Sequence, residues 1–310
     1  MSSFLTMIQT SGPLFLLVAA GYLVMKVFRL PLWVSQRTTK LVFTVALPAL
    51  LFSMMTGIRR LPSPDMRVLA AFFGACLLVF ALGRFGARWF RLDGASRSVF
   101  AVGGVFSNNV MLGLPLAKLL LGPGSIPTVA LVLVFNSLIL WTLVTVAVEV
   151  ARHSGTSWRN VVRTALRVAF NPIVAAIFAG VAWSFTGWDL PRVVSLPLDW
   201  VGAAAGPLAL AALGMGLAEF GVGRDRRLTA ALVTVKLLVH PLAVWGLAAW
   251  LGLSSLETRT LVLLSSIAIG SNVYLMARQF GVLEGPVAQS LLVSTALSAV
   301  TTPLLVALVP

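Results

Sequence analysis

The sequence predicts an all-α membrane protein: ten transmembrane helices in two inverted five-helix repeats, with helices 4 and 9 broken. Three observations lead there. The 310-residue chain is 59% hydrophobic and 10% charged, with a mean hydropathy of +0.98, which leaves too little polar surface for a soluble domain of this length. A helix needs about 20 apolar residues to cross about 30 Å of hydrocarbon, and ten segments qualify: 9–28, 38–57, 67–90, 97–121, 126–149, 168–187, 199–220, 228–251, 257–280 and 285–309. Those segments also repeat at an offset near 160 residues.

The repeat runs through the spans in order. In spans 1 and 6, "SGPLFLLVAAGYLV" aligns with "FNPIVAAIFAGVAW", matching Pro13 to Pro172 and Gly21 to Gly180. In spans 2 and 7, "ALPALLFSMMTG" aligns with "AGPLALAALGMG", matching Pro48 to Pro207. "RVLAA" opens span 3 as "RLTAA" opens span 8, and Pro127 of span 5 matches Pro286 of span 10. Five spans per copy is an odd number, so the second copy enters the membrane upside down. The organisation is therefore a first repeat over 1–150, a cytoplasmic linker over 151–167 and a second repeat over 168–310. "SWRNVVRTALRVAF" around the linker reads as an amphipathic surface helix.

Charge sets orientation. Loops 1, 3, 5, 7 and 9 with their flanks hold sixteen Lys and Arg, and the opposite side holds six. The positive-inside rule then puts both termini outside the cytoplasm. Trp33, Trp89, Trp183, Trp188, Trp200 and Trp250 fall near span ends, as interfacial belts do. The net charge of +14 comes in short runs between apolar segments. It forms no basic face with a nucleic-acid reader motif, so no nucleic-acid partner is expected. Arg outnumbers Lys 19 to 4, which hints at a GC-rich genome and hence a bacterial inner membrane. The single Cys76 and two histidines offer no disulfide framework and no metal cluster, and no cofactor is implied.

Two places break the apolar pattern. "SNNVMLGLP" at 107–115 interrupts span 4, and "GSNVYL" at 270–275 interrupts span 9. Asn109-Val110-Met111-Leu112 and Asn272-Val273-Tyr274-Leu275 correspond, each with small residues beside the asparagine. A lone membrane asparagine usually just bonds a neighbouring helix. A symmetry-related pair points instead to two interrupted helices whose N-terminal ends face a shared centre, where secondary transporters bind substrate. Candidate binding residues are Ser107, Asn108, Asn109, Gly113, Pro115, Gly270, Ser271, Asn272 and Tyr274. Pro48, Pro207 and Pro241 mark helix breaks and the repeat.

With "SNNVMLGLPLAKLLLG", "NPIVAAIFAGV", "AGPLALAALGMGLA", "VKLLVHPLA" and "SNVYLMARQFG", nearly the whole chain resembles the auxin efflux carrier family, in its bacterial permease branch that includes malonate carriers. The resemblance implies a bile-acid-symporter/NhaA-like plan of ten helices, with helices 4 and 9 crossing at the substrate site. It implies a scaffold of spans 1, 2, 6 and 7, a transport unit of spans 3–5 and 8–10 that moves as an elevator, and a homodimer. Family members commonly carry a proline at the span-9 break; Gly270 stands near there in this chain.

One charge lies inside a span. Lys236 is nine residues beyond Arg227, about 13 Å deeper, where an ionisable group is expensive and marks function. Its repeat partner is Cys76. His240 follows one turn on, and Pro241 removes a backbone donor. Lys236 is read as balancing an anionic substrate or standing in for a coupling cation, with His240 as a proton-coupling group; a snorkelling lysine and a simple helix kink are the plainer alternatives. All nine carboxylates lie at span ends or in loops, which argues against a sodium/proton antiporter or an acidic channel ring. No "GK" occurs, so there is no phosphate-binding loop for ATP.

The expected function is a secondary transporter or facilitator that moves a small organic carboxylate by alternating access. The alternatives are a sodium-coupled bile-acid-type symporter and a non-transporting receptor of the same fold. An intramembrane enzyme would need a nucleophile–base pair, paired carboxylates or a metal cluster, and none is visible, so the chain is not expected to be an enzyme.

Overall fold

The computed structural model describes residues 2–57, 65–152, 172–218 and 225–310. The predicted amphipathic segment of the linker falls at 157–170 and lies outside the described residues. What is described is helical, without β-strands. The helices are α1 (Ser2–Val27), α2 (Leu32–Thr56), α3 (Arg67–Phe90), α4 (Gly94–Gly103), α5 (Asn109–Leu120), α6 (Ile126–Arg152), α7 (Pro172–Ser184), α8 (Arg192–Leu217), α9 (Arg226–Trp250), α10 (Ser255–Ser266), α11 (Ser271–Phe280) and α12 (Glu284–Leu308). Among the described residues, five of these are long and apolar enough to cross a membrane: α2, α3, α8, α9 and α12. The segments predicted as spans 4 and 9 are each two short helices, α4 with α5 and α10 with α11, separated by non-helical chain.

Proline explains a recurrent local departure. Short π-helical stretches occupy Val42–Ala46, Asn109–Gly113 and Val235–Val239, and Pro48, Pro115 and Pro241 each follow two residues later. A helical proline lacks its N–H, and its ring collides with the carbonyl four residues back. Here those carbonyls belong to Thr44, Met111 and Leu237, at or beside the middle of each stretch. Widening the turn relieves the collision, as π-bulges do. Pro207 behaves differently: it lies inside the continuous α-helix α8, as does Pro197.

Packing divides the helices into two groups. α1, α2, α7 and α8 contact one another most, and α3–α6 pack with α9–α12, while α1 also touches α5 and α12. The first group is held by backbone-close crossings. A Cβ on Gly214 would lie 1.9 Å from the Val18 carbonyl oxygen, and one on Gly21 2.2 Å from that of Ala211. α1 and α8 therefore approach at a distance that only glycine permits. Gly180 meets Phe52 and Met55 of α2 in the same way.

At one end of the second group a polar clasp ties three elements. Ser254 and Glu257 form a capping box that starts α10, and Glu257 also accepts from the Asp65 backbone N–H at 2.8 Å. Arg67 donates to the Leu251 carbonyl at 2.7 Å and to Asp65 at 2.6 Å. The Arg67 side-chain hydrogen bond holds the Asp65 carboxyl below the usual carboxylate range.

The glycine crossings give a signed prediction. Gly214→Ala lowers thermal stability by about 1–3 kcal/mol through overpacking. Gly246→Ala, which meets nothing within 4 Å, raises it by a fraction of a kcal/mol up to about 1 kcal/mol through helix propensity. Thermal unfolding of the two purified variants beside the parent checks both signs.

Candidate functional site

The site begins with a backbone problem. Where α4 ends at Gly103 and α10 ends at Ser266, chain that leaves a helix inside an apolar bundle exposes N–H and C=O groups with no water to take them. The two interruptions satisfy each other. Asn108 N–H donates to the Ala268 carbonyl at 3.0 Å and Gly270 N–H to the Phe106 carbonyl at 2.8 Å, making an isolated antiparallel bridge of Ser107 with Ile269. Ile267 is extended, with φ −75° and ψ 169°, and the Ile269 N–H is taken by Ser294 Oγ of α12 at 3.1 Å. Gly270 permits this closeness, because a Cβ there would stand 3.0 Å from the Ser107 carbonyl oxygen. α5 and α11 start immediately beyond the bridge, so two helix N-termini originate at one buried point.

The bridge ties the two backbones together, but side chains around it are left without partners. Ser107 Oγ, Asn108 Nδ2, both amide atoms of Asn109 and Asn136 Oδ1 are buried without a hydrogen-bond partner. With Gly270, Ser271, Asn272 and Phe43 they surround a cavity of about 30 Å³, enough to hold at least one water. Buried polar atoms normally find partners, so a cluster of orphans marks where something else supplies them.

A second cavity of about 450 Å³ lies next to it. Its wall from α2 is polar, with Ser35, Gln36, Thr39, Lys40 and Thr44; Leu213 and Leu217 of α8 and Leu275 of α11 make it apolar opposite, and Met111, Ser271 and Tyr274 complete it. Phe43 and Ser271 line both cavities and form the partition between them.

Lys236 and His240 stand elsewhere. Both are fully buried and line neither cavity. Lys236 Nζ donates to the Ser265 carbonyl and lies 3.5 Å from His240 Nδ1, while His240 Nε2 lies 3.4 Å from Cys76 Sγ. Ser265 and Ser266 carry two of the carbonyls that the end of α10 leaves without intrahelical partners. Lys236 takes the first, and Thr302 Oγ1 donates to the second at 2.9 Å. A cation at a helix C-terminus also matches the dipole.

Of the residues singled out in the sequence, Ser107, Asn108, Asn109, Gly270, Ser271 and Asn272 meet at the small cavity, and Tyr274 faces the large one. Gly113 and Pro115 line neither. A Cβ on Gly113 would stand 2.9 Å from Leu264, so it lets α5 pack against α10, and Pro115 shapes the π-turn. Sequence reasoning passed over Asn136 and Lys40. The signal for Asn136 was an amide isolated in the apolar run "LVLVFNSLIL"; Lys40 was counted only as a topology charge. Among the described residues no group of three or more His, Cys, Asp or Glu side chains could hold a metal ion.

A helical bundle with apolar spans, two paired helix interruptions and unpartnered amides at their junction defines a membrane transport protein. Residues 6–306 match the profile of the family described as membrane transport protein, and the chain belongs to that family, the group of the auxin efflux carriers. It is 30% identical over 299 residues, 93% of its own length and 91% of the relative's, to a Rhizobium meliloti (strain 1021) protein named "Putative malonate transporter".

The bridge predicts a specific weakness. Ser294→Ala strands the Ile269 N–H and lowers stability by about 1–3 kcal/mol. Ser290→Ala, whose hydroxyl bonds back to the Pro286 carbonyl of its own helix, costs less. Thermal unfolding compares the two, and amide hydrogen exchange is expected to accelerate at Ile269 in the first variant alone.

Proposed function

We propose that this membrane transporter carries a small organic carboxylate by elevator-type alternating access, on ten transmembrane helices arranged as two inverted five-helix repeats. The observation that carries the reading is the cluster of unpartnered amide and hydroxyl groups at the point where α5 and α11 begin. Free N–H groups and partial positive charge at two helix N-termini, with the Asn108 and Asn109 amides beside them, suit a carboxylate. Asn136 and Asn272 complete the constellation. Lys40, the charged residue on the wall of the 450 Å³ cavity, supplies a positive charge on the route to it. The name of the Rhizobium meliloti relative, which refers to a dicarboxylate, points to the same substrate class.

In this reading α1, α2, α7 and α8 are the scaffold, and α3–α6 with α9–α12 are the transport unit, in line with the two packing groups. The large cavity lies between them. By the positive-inside rule its walls belong to the cytoplasmic halves of the helices, so the conformation faces inward, with both termini outside a bacterial inner membrane and a homodimer as the assembly. Lys236 moves with the transport unit. Its charge holds the carbonyl end of α10, the position that a coupling cation would otherwise take, and His240 lies beside it to exchange a proton. Among the described residues no carboxylate lines either cavity, which favours this reading over a sodium-coupled symporter.

Thermal stabilisation by a panel of carboxylates, amines and neutral solutes tests the substrate class. A carboxylate at 100 times its dissociation constant adds about 2.7 kcal/mol, and stabilisation by amines or neutral solutes alone overturns the proposal. Asn109→Ala and Asn272→Ala each remove a hydrogen bond to a charged group, worth about 1.5–3 kcal/mol, and weaken carboxylate binding roughly ten- to hundredfold. Uptake into proteoliposomes checks Lys236→Met, which is expected to abolish turnover while leaving equilibrium binding near that of the parent; unchanged uptake removes the coupling role.

A further inference from the structure

The turn that joins α3 to α4 carries four arginines within fourteen residues: Arg84, Arg88, Arg91 and Arg97. The chain tightens there into a short 3-10 turn, Ala87–Phe90, and reverses through Arg91, whose φ is +54°. Arg84 points inward. Its Nη1 donates to Ser98 Oγ and, at 3.4 Å each, to the Gly94 and Ala147 carbonyls, so it fastens α3 to the first turn of α4 and to α6. Arg97 and Arg88 are near enough for their charges to act on it. Among the described residues no carboxylate pairs with any of the four. Asp93, the acid in the turn, instead caps α4, accepting from the Ser96 and Ala95 N–H groups at 3.2 and 3.3 Å. One donor is left over: Arg97 Nε is buried with no hydrogen-bond partner.

The surroundings indicate what completes the cluster. Trp89 is 83% exposed and Phe85 58%, and the Arg88 guanidinium lies 5.0 Å from the centre of the Phe85 ring. Exposed aromatics interleaved with arginines at the end of a membrane helix lie at headgroup depth. Clustered arginines there attract anionic lipid, and guanidinium groups match the paired oxygens of a phosphate. A free phosphate would make no use of Trp89 and Phe85. We propose that the α3–α4 turn binds the phosphodiester headgroup of an anionic glycerophospholipid, with the exposed Arg88 and Arg91 on the phosphate and Trp89 and Phe85 against the upper acyl carbons. This site is separate from both cavities and does not depend on which solute the protein carries. α4 runs directly from it to the broken segment at Gly104–Asn108, so lipid occupancy bears on the helix that enters the transport site.

The test uses the purified full-length chain in neutral detergent, titrated with dioleoylphosphatidylglycerol, dioleoylphosphatidylcholine or inorganic phosphate, with bound lipid counted by native mass spectrometry and stability read by thermal unfolding. The expected result is saturable binding of phosphatidylglycerol over phosphatidylcholine. Arg88→Gln and Arg91→Gln, both at exposed positions, each weaken it about fivefold, and Trp89→Ala weakens it as well. Arg226→Gln, at the first residue of α9, leaves it unchanged. Equal binding of the two lipids overturns the proposal, as does equal weakening by Arg226→Gln, which would mean a diffuse positive surface. Stabilisation by inorganic phosphate at the same concentration, insensitive to Trp89→Ala, overturns the lipid assignment in favour of a simple anion site.

Discussion

Everything at the centre of this protein depends on one requirement: backbone groups released from a helix inside an apolar bundle must find partners. The antiparallel bridge of Ser107 with Ile269 meets that requirement for two interrupted helices at once. Neither break would be tolerable alone, because each supplies the donors and acceptors that the other lacks. Three further groups are taken by side chains from outside the breaks: Ser294 for the Ile269 N–H, Lys236 for the Ser265 carbonyl and Thr302 for that of Ser266. Satisfying the backbone in this way frees the asparagine side chains, and the same bridge thus produces both the structural seam and the unpartnered polar cluster.

Glycine and proline set the geometry around that seam. Gly270 lets the two extended segments touch, and Gly113 lets α5 lie against α10. Pro48, Pro115 and Pro241 each widen the helix before them into a π-turn. The turn in α5 adjoins the bridge, that in α9 carries Lys236 to the end of α10, and that in α2 carries Phe43, which lies between the small cavity and the large one. Elsewhere glycine has the opposite effect. Gly21 and Gly214 bring α1 and α8 together so closely that this pair has little freedom to slide.

Charge is distributed by the same economy. Lys236 is tolerated in the interior because a carbonyl at a helix end accepts its hydrogen bond. The arginines of the α3–α4 turn lie where water and lipid headgroups meet, so most of their donors need no partner within the protein. Arg97 Nε is the exception, a buried donor without a hydrogen-bond partner.

Sequence alone determined the helical class, the apolar segments, the two interruptions and the asparagines within them. Hydropathy, proline and glycine act over one or two turns of chain, so their effects can be read locally. The transporter family was legible too, because its motifs are contiguous. Which side chains meet was decided by packing between residues from tens to more than two hundred positions apart. Nothing local shows that Asn136 joins Asn109 at one cavity, that Phe43 closes it, or that Lys236 faces the end of α10 and lines neither cavity. A helix fixes the spacing of its side chains, but only its neighbours fix the direction in which each face points.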